Sequence, residues 1–378
     1  MSGAATLQAV MSEGLDRYRH AHPLKPRQQQ VCRHILDCRT PALGGFALKC
    51  DHCQAPAQLY HACRDRHCPR CQRQATEAWC ARERAGVLPV NYHHLVFTLP
   101  HALNPWVEVH ARELYGLLFE TVWATLSAFA ADPKRLGGQL GMTAVLHTWG
   151  QTLTRHVHLH CLVPGGALSG GGQWHPARST YLFPVRALSR HFRGGFVSGL
   201  RRAIGKGQLP RLDNAAEIDA MLDTLMASEW VVYTKPCLSH TETVVDYLGR
   251  YTHRIALSDA RIRRFDDGEV QLDYKDYRDG GRHKVMTLAA TELLRRFLLH
   301  VLPHGFMRVR HFGFLANRCR ALRLPVIRAA IEVYQATPAA EASPPSQASP
   351  FDGYPCAKCR RGHLRVVAEL TRHRLEGG

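Results

Sequence analysis

Three histidines alternate with apolar residues in the segment His156-Val157-His158-Leu159-His160. Successive side chains of a β-strand point to opposite faces, so this spacing places all three imidazoles on one face and the two apolar side chains on the other. Imidazole is a common neutral metal ligand, and two imidazoles on alternate residues are close enough to bind one ion. The segment therefore predicts a metal site on a strand, although amidohydrolases and cupins use the same pattern.

Two tyrosines, Tyr247 and Tyr251, are four residues apart, which places them on one face of a helix. The cations Arg250, His253 and Arg254 lie between or just after them and would hold a phosphate or stabilise a phenolate. A free phenol has a pKa of about 10, so it needs a polarised phosphate, a cation or a base to become a useful nucleophile. Activated in this way, a tyrosine could attack a DNA phosphodiester and form a 5′-phosphotyrosine. Without such partners the two rings would be ordinary core aromatics.

Cysteine is concentrated near the N-terminus, where eight of the thirteen cysteines fall within residues 32–80. The pairs Cys50/Cys53 and Cys68/Cys71 are separated by 14 residues, a spacing typical of a tetrahedral zinc site with four cysteine ligands. In a reducing compartment such clusters indicate metal rather than disulfides. We therefore expect these four cysteines to bind Zn²⁺ as one set, and the ion to supply stability that so small a region lacks.

Other residues leave the zinc assignment open. Four of them lie close to the two pairs and allow a second ion or a set of three cysteines and one histidine: Cys38, Cys63, His61 and His67. Near the C-terminus, Cys356 and Cys359 with His363 resemble half of a further zinc knuckle, but no fourth ligand is evident there.

The chain has 378 residues and a formal net charge of +18. This excess favours a polyanionic partner such as DNA, although GC-rich genomes also give basic, arginine-rich proteins. The arginines beside the cysteine pairs are expected to face DNA: Arg64, Arg66, Arg70 and Arg73. Neither a signal peptide nor an apolar run of membrane-spanning length stands out, so we expect a cytoplasmic protein without a membrane partner.

Composition divides the chain into four regions. We predict a zinc-binding, DNA-recognition region at 1–85, a catalytic domain at 86–334, a Pro-, Ala- and Ser-rich linker at 335–355 and a short Cys-containing tail at 356–378. Within the second region, β-type patterns predict strands at 92–99, 143–149, 156–163 and 230–234. Helical spacing predicts one long helix over 105–130.

Turn sequences add to this picture. Asp267-Gly268 and Gly280-Gly281 lie between alternating segments and predict a small antiparallel meander. Strands and helices that follow one another without strict βαβ order predict an α+β fold with an antiparallel sheet.

Three segments, WGQTLTRHVHLHCLVPGG, DYLGRYTHRIALSD and RVRHFGFLANR, occur in this order. Together they resemble the rolling-circle transposases of the two-tyrosine HUH class, of the bacterial IS91 type, where HUH denotes two histidines around a hydrophobic residue. The N-terminal segments CRTPALGGF, LKCDHC and RDRHCPRCQ resemble the zinc-binding region that precedes the catalytic domain in that family. The resemblance covers most of the chain, and several motifs in one order are more specific than any single motif.

The resemblance implies a fold and a reaction. It implies an HUH-endonuclease-like (ferredoxin-like) antiparallel sheet with the histidine strand at its centre and packed helices, preceded by a small zinc-binding domain. It also implies Mg²⁺ or Mn²⁺ at the histidines and Zn²⁺ at the N-terminal cysteines. The substrate would be single-stranded DNA at the transposon ends and at the target.

The family's functional residues carry over onto matching positions. His158 and His160 correspond to the HUH pair, and His156 is either an additional ligand or a neighbour. Tyr247 and Tyr251 correspond to the two nucleophiles. HUH enzymes use a third metal ligand from elsewhere in the chain, for which the sequence offers two candidates: Gln151 and Asp246.

We therefore predict a rolling-circle transposase that cleaves and rejoins single-stranded DNA through a 5′-phosphotyrosine. Two alternatives stay open on the sequence alone: a plasmid or phage rolling-circle replication initiator or relaxase, and a zinc-containing DNA-binding protein without catalysis. The chain lacks a GxxxxGK[ST] loop, which argues against helicase-fused initiators. The protein would act in the bacterial cytoplasm, associated with the nucleoid, and the sequence assigns no oligomeric state.

Overall fold

The computed structural model of the protein describes residues 5–84, 86–177, 182–238, 244, 249, 256–335 and 354–372. Within them, helices are mixed with antiparallel sheets, as the sequence predicted. The α-helices are α1 (Leu7–Ala21), α2 (Pro26–Asp37), α3 (Pro69–Arg84), α4 (Asn104–Val109), α5 (Ala111–Ala131), α6 (Val185–Gly205), α7 (Ala215–Ala227), α8 (Ala290–Leu298) and α9 (Arg320–Gln335). The strands are β1 (Gly45–Cys50), β2 (Pro56–Tyr60), β3 (Tyr92–Thr98), β4 (Gly141–Trp149), β5 (Arg155–Pro164), β6 (Gly166–Leu168), β7 (Trp174–Pro176), β8 (Val232–Leu238), β9 (Ile262–Asp266), β10 (Glu269–Asp276), β11 (Arg282–Ala289), β12 (Val309–Gly313), β13 (Tyr354–Pro355) and β14 (His363–Leu370).

A five-stranded sheet carries the histidine segment. Its strand order is β12-β4-β5-β3-β8, and every neighbouring pair is antiparallel. The strands predicted at 92–99, 143–149 and 156–163 are confirmed, and the last two pair with each other as a hairpin. The strand predicted at 230–234 begins two residues later. β5 lies at the centre of the sheet, with two strands on each side.

Alternation along β5 separates two faces of this sheet. Val157, Leu159 and Cys161 are at most 1% exposed and belong to the main hydrophobic core. The helices α5 and α6 cover that face, and Phe192 of α6 packs edge-on against Phe97 of β3. Because side chains alternate, the histidines of β5 point to the opposite face.

Helix α5 corrects two sequence predictions. It is long and apolar enough, by length and composition alone, to cross a membrane, so the statement that no such stretch exists was wrong. Its apolar side chains nevertheless pack into the main core against α6 and β4, which accounts for their hydrophobicity in a globular fold. The single helix predicted over 105–130 is divided at His110, where the backbone leaves the helical region (φ −128°, ψ 42°).

The N-terminal helices share a second core with the meander. β9, β10 and β11 form the predicted antiparallel sheet, with positive φ angles at Gly268 and Gly281 in its two turns. Helix α1 packs on α8, and Met11 and Leu294 are buried in one cluster. Residues on both sides of the boundary predicted at residue 85 therefore contribute to the same core.

The C-terminal segment, predicted as a tail, is part of a sheet. β14 pairs antiparallel with β1 and with β13, which gives the order β13-β14-β1-β2. The register places Leu364 opposite Cys50. Most of the predicted linker, from 336 to 353, lies outside the described residues.

Replacing Leu159 with alanine should destabilise the fold strongly. The side chain is fully buried behind the histidine face, so its truncation loses transfer free energy and leaves a cavity. We expect the free energy of unfolding, measured by urea denaturation, to fall by about 2–5 kcal/mol. Leu322, which is 78% exposed, is the matched control, and Leu322→Ala should change it by less than about 0.5 kcal/mol. Similar losses in both variants would contradict the assignment of the two sheet faces.

Candidate functional site

The histidine face of β5 is completed by a residue from β4. His147 lies opposite His158 in the antiparallel register, so both side chains are on the same face. The ligand nitrogens of His147, His158 and His160 all lie within 4.8 Å of one another. We call these three residues the histidine cluster. Three imidazoles this close together can bind one metal ion.

His156 lies beside the histidine cluster and is not part of it. Its Nδ1 is 3.1 Å from Nε2 of His101. Its backbone carbonyl accepts a hydrogen bond of 2.8 Å from Nδ1 of His158, which leaves Nε2 of His158 as the nitrogen that would face an ion. Of the two sequence alternatives for His156, the structure favours the neighbour.

His147 is a candidate third ligand that the sequence analysis did not find. The side-chain oxygen of Gln151 accepts a hydrogen bond of 3.5 Å from the backbone N–H of Lys275, in the meander, and its role as a ligand stays a prediction. Asp246 lies outside the described residues. A signal for His147 was present, since it lies on the strand predicted directly before the histidine strand, and hairpin pairing brings one face of each strand together.

Aromatic and imidazole partners orient the cluster. Nε2 of His94, on β3, lies 2.9 Å from Nδ1 of His160, and the two rings are stacked at a centroid distance of 5.1 Å. On the other side, the indole of Trp149 stacks on His147 at 4.4 Å. Outer partners of this kind fix the ring orientation of metal-binding histidines.

Burial keeps these imidazoles neutral. Loss of solvation lowers the pKa of His158 to about 3 and that of His94 to about 4, and it holds the pKa of His160 well below the usual range. Positive charge on neighbouring imidazoles, and on Lys235 near His94, acts in the same direction. A neutral imidazole keeps the lone pair that a metal ion needs.

A further buried histidine supports the cluster from behind Trp149. The ring of His300 lies 6.1 Å from the Trp149 ring, and its Nδ1 is 3.2 Å from Oγ1 of Thr148. Its Nε2 donates to the carbonyl of Leu153 (3.0 Å). Burial lowers the pKa of His300 to about 4.

The predicted nucleophiles Tyr247 and Tyr251 lie outside the described residues, as do three predicted DNA contacts: Arg250, His253 and Arg254. Two residues near Tyr247 are described. Val244 is buried in a cluster with Leu162 and Trp79. A β-carbon on Gly249 would come within 2.5 Å of Sγ of Cys80 on α3, so a larger residue there would require Cys80 to shift.

The predicted grouping of Cys50 and Cys53 with Cys68 and Cys71 is wrong. The latter pair instead belongs to a first cysteine cluster, whose thiols all lie within 4.8 Å of one another: Cys38, Cys63, Cys68 and Cys71. The physical reason is the hairpin of β1 and β2. It holds Cys50 and Cys53 at its turn, about 17 Å along the strands from the end that meets α2 and α3.

His67, predicted as an alternative zinc ligand, is engaged elsewhere. Its Nδ1 lies 2.8 Å from Oδ1 of Asp65, and its Nε2 accepts a hydrogen bond of 3.2 Å from the N–H of Leu302. The cysteines Cys38 and Cys63, which the sequence offered only as further candidates, take the places in the first cysteine cluster.

The four arginines near the cysteines differ in exposure. Arg64 and Arg70 are exposed, and Arg70 also donates to the side chain of Gln8. The guanidinium of Arg66 is half-buried and donates to the carbonyl of Phe306, and its contact with DNA stays a prediction. The side chain of Arg73, the fourth of these arginines, lies outside the described part of the structure.

Comparison with known proteins identifies the family. Residues 10–99 match a family described as "Transposase zinc-binding domain", and residues 141–322 match one described as "Putative transposase". "Putative transposase y4qJ" of Sinorhizobium fredii is 41% identical over 366 residues, which cover 93% of this chain and 92% of that protein. The chain belongs to the IS91-type transposases.

Another relative supports the same transposase family. "Transposase for insertion sequence element IS801" of Pseudomonas savastanoi pv. phaseolicola is 27% identical over 361 residues, which cover 92% of this chain and 86% of that protein. No solved structure gives a significant match.

A transposase cleaves DNA, so the chain is a DNA-binding enzyme. The matched zinc-binding domain contains the whole first cysteine cluster, which supports Zn²⁺ in the N-terminal part of this transposase.

The stability of the transposase should depend on pH through His300. The folded-state pKa of His300 is about 4, below the usual 6.5. The neutral ring therefore contributes stability to the fold that is present above pH 6.5 and is lost as the pH falls toward 4. We expect the difference in unfolding free energy between the wild type and His300→Asn to shrink by roughly 3 kcal/mol from pH 7 to pH 4. Urea denaturation at several pH values measures this difference. The surface variant Leu322→Ala should keep a constant difference, and a constant difference for His300→Asn as well would contradict the expectation.

Proposed function

We propose that this transposase acts by a rolling-circle mechanism on single-stranded DNA, with Tyr247 and Tyr251 as nucleophiles that form a 5′-phosphotyrosine. The histidine cluster would hold the catalytic divalent ion, and the five-stranded sheet would be of the HUH-endonuclease type. The protein would act at the nucleoid, where its DNA substrate lies.

The position of Val244 is the observation that carries this proposal. Val244 packs on Leu162, which follows His160 by two residues on the same face of β5. Alternate residues of a strand are about 6.6 Å apart. The chain therefore reaches the histidine face three residues before Tyr247. The close approach of Gly249 to Cys80 holds the chain against α3 two residues after Tyr247.

The proposed reaction exchanges one phosphodiester for another. The phenolate oxygen of one tyrosine attacks phosphorus, the bond from phosphorus to the 3′ oxygen breaks, and that oxygen takes up a proton to leave as a 3′-hydroxyl. Rejoining reverses these steps, with a 3′-hydroxyl attacking the phosphotyrosine and the tyrosine leaving as a phenol. Arg250, His253 and Arg254 would neutralise the phosphate and stabilise the phenolate. Two tyrosines would allow one to start the transfer and the other to resolve it.

The donor set of the histidine cluster fits a divalent ion. When bound, such an ion would polarise the scissile phosphodiester. His147, His158 and His160 would hold it, and His94 would orient His160. Between the two ions implied by the family resemblance, imidazole ligands suit Mn²⁺ better than Mg²⁺, which prefers oxygen ligands.

A basic groove beside the first cysteine cluster would bind an element end. The groove has a volume of about 920 Å³, and its lining includes three arginines, two histidines and one carboxylate: Arg64, Arg66, Arg372, His34, His61 and Asp65. Arg372 follows β14 and reaches this groove because β14 pairs with β1. Cationic side chains on two separate segments would contact successive phosphates of the DNA backbone.

A covalent protein–DNA adduct should form on single-stranded oligonucleotides. We expect oligonucleotides from both strands of the DNA flanking the gene, labelled at the 3′ end, to give a labelled adduct on denaturing gels with Mn²⁺. A 5′ label should appear instead on a shorter free product, because the protein retains the 5′-phosphate of the downstream fragment. The adduct should vanish with EDTA and in the double variant Tyr247→Phe, Tyr251→Phe.

Tyr277, which is 69% exposed in the meander, provides the control. Tyr277→Phe should form the adduct as the wild type does. An adduct that survives in the double variant would contradict the assignment of the two tyrosines as nucleophiles. An adduct that carries the 5′ label would contradict the proposed attachment of the protein to the 5′-phosphate.

Metal binding should depend on the three members of the cluster. Isothermal titration of Mn²⁺ should show that His147→Ala weakens binding more than His94→Ala does. The second variant removes only an outer partner of a ligand, and such a loss lowers metal affinity by about 10–100-fold. His156→Ala keeps the carbonyl that holds His158, so its affinity should stay close to that of the wild type. Equal losses in His147→Ala and His156→Ala would contradict the ligand set.

A further inference from the structure

Cys356 and Cys359 lie against Cys50 and Cys53, from which they are separated by some three hundred residues in the sequence. Sγ of Cys50 is 3.7 Å from Sγ of Cys359, and Sγ of Cys53 is 3.7 Å from Sγ of Cys356. The four sulfurs all lie within 4.8 Å of one another. We call them the second cysteine cluster.

These distances fit a shared metal ion. Zinc binds thiolates at about 2.3 Å in a tetrahedron, which places neighbouring sulfurs about 3.8 Å apart. A disulfide would require about 2.05 Å. The first cysteine cluster has the same spacing, with Sγ of Cys71 3.6 Å from Sγ of both Cys38 and Cys63.

The two CxxC turns of the second cluster share one backbone conformation. In the first turn, the N–H of Gln54 donates to the carbonyl of Cys50 (3.1 Å), and in the second, the N–H of Arg360 donates to the carbonyl of Cys356 (2.9 Å). Gln54 and Arg360 both have positive φ angles, of 59° and 55°. Non-glycine residues rarely adopt this region, so its appearance at the same position of both turns indicates a common requirement.

Hydrogen bonds within each turn and close packing between the turns hold the sulfurs together. The N–H of Cys53 donates to Sγ of Cys50 (3.4 Å), and the N–H of Gly362 donates to Sγ of Cys359 (3.5 Å). Such hydrogen bonds favour the thiolate, the form that binds metal. A β-carbon on Gly362 would come within 2.5 Å of Cβ of His52 and 2.8 Å of Sγ of Cys50, so glycine allows the turns to meet.

Apolar burial does little to hold the C-terminal hairpin in place. Val366 and Val367 of β14 are 60% and 59% exposed. The carboxylate of Asp51 accepts hydrogen bonds from the N–H of His363 (2.8 Å) and from Nε of Arg365 (3.2 Å), but exposed ion pairs contribute little to stability. Strand pairing with β1 therefore needs a further source of stability, which metal binding can supply.

We propose that Cys50, Cys53, Cys356 and Cys359 bind a second Zn²⁺ that fastens the C-terminal strand to β1. This site joins the β1–β2 hairpin to the C-terminal hairpin, and half of its ligands lie beyond the zinc-binding domain matched at residues 10–99. Four thiolates fill the coordination of the ion, so its role is structural. The site is separate from the histidine cluster and does not depend on the proposed DNA cleavage.

Zinc content of the full-length protein tests this proposal. Elemental analysis of purified wild-type protein should give two zinc ions per chain. The double variant Cys356→Ser, Cys359→Ser should retain one, and so should Cys38→Ser, Cys71→Ser, which removes ligands of the other cluster. Cys319→Ser is the matched control and should retain two, because Cys319 hydrogen-bonds to the carbonyls of Gly313 and Ala316, outside both clusters.

A second variant covers the case in which the serine variants do not fold. Cys359→His keeps four ligands, as three cysteines and one histidine, and should still bind two ions, with a weaker sulfur-to-metal charge-transfer band after exchange of zinc for Co²⁺. One zinc ion per wild-type chain, or two in the Cys356→Ser, Cys359→Ser variant, would overturn the proposal. Loss of both ions in that variant together with fewer than two in Cys359→His would also count against it.

Discussion

The antiparallel register between β4 and β5 is the constraint on which the histidine site depends. It places His147 opposite His158 on one face and Leu146 opposite Leu159 on the other. Both leucines are buried in the main core. Since side chains alternate along a strand, a shift by one residue would expose the leucines and force imidazoles into the core. The hydrophobic core on one face therefore fixes the positions of the imidazoles on the other.

The zinc region and the histidine sheet are joined by a buried polar network. Asp65, between Cys63 and Cys68, accepts a hydrogen bond from the N–H of His67 (2.9 Å). Burial alone would raise the pKa of this carboxyl, but hydrogen bonds from His67 and His34 lower it below its usual range. Nε2 of His67 accepts a hydrogen bond from the N–H of Leu302, in the segment that leads into β12. Hydrogen bonds thus connect the segment between Cys63 and Cys68 to the segment that precedes the edge strand of the sheet.

The sequence predicted what depends on local periodicity. The alternation of the histidine strand and the glycine turns of the meander both appear in the structure, because each follows from the conformations that a few neighbouring residues allow. The core shared by α1 and α8 was not predicted, since contacts between segments so distant in the chain leave no local pattern.

The cysteine grouping failed for a related reason. Spacing alone favoured two neighbouring CxxC pairs in one site. A hairpin between them separates them, and the partners of Cys50 and Cys53 come from the other end of the chain. His147 is an intermediate case. Its strand was predicted from the sequence, but His147 itself could be named as a candidate ligand only from the register of the hairpin.

The two kinds of proposed metal site would differ in charge and in openness. Four thiolates give a zinc ion a net negative site with closed coordination, which suits a structural role. Among the described residues, the histidine cluster contains no carboxylate or thiol, so its three neutral ligands would leave the full charge of a divalent ion to act on a phosphate. Each carboxylate ligand would cancel one unit of that charge, and the effect is largest where burial lowers the dielectric constant. A ligand set of neutral imidazoles is therefore suited to an anionic substrate in a way that the cysteine clusters are not.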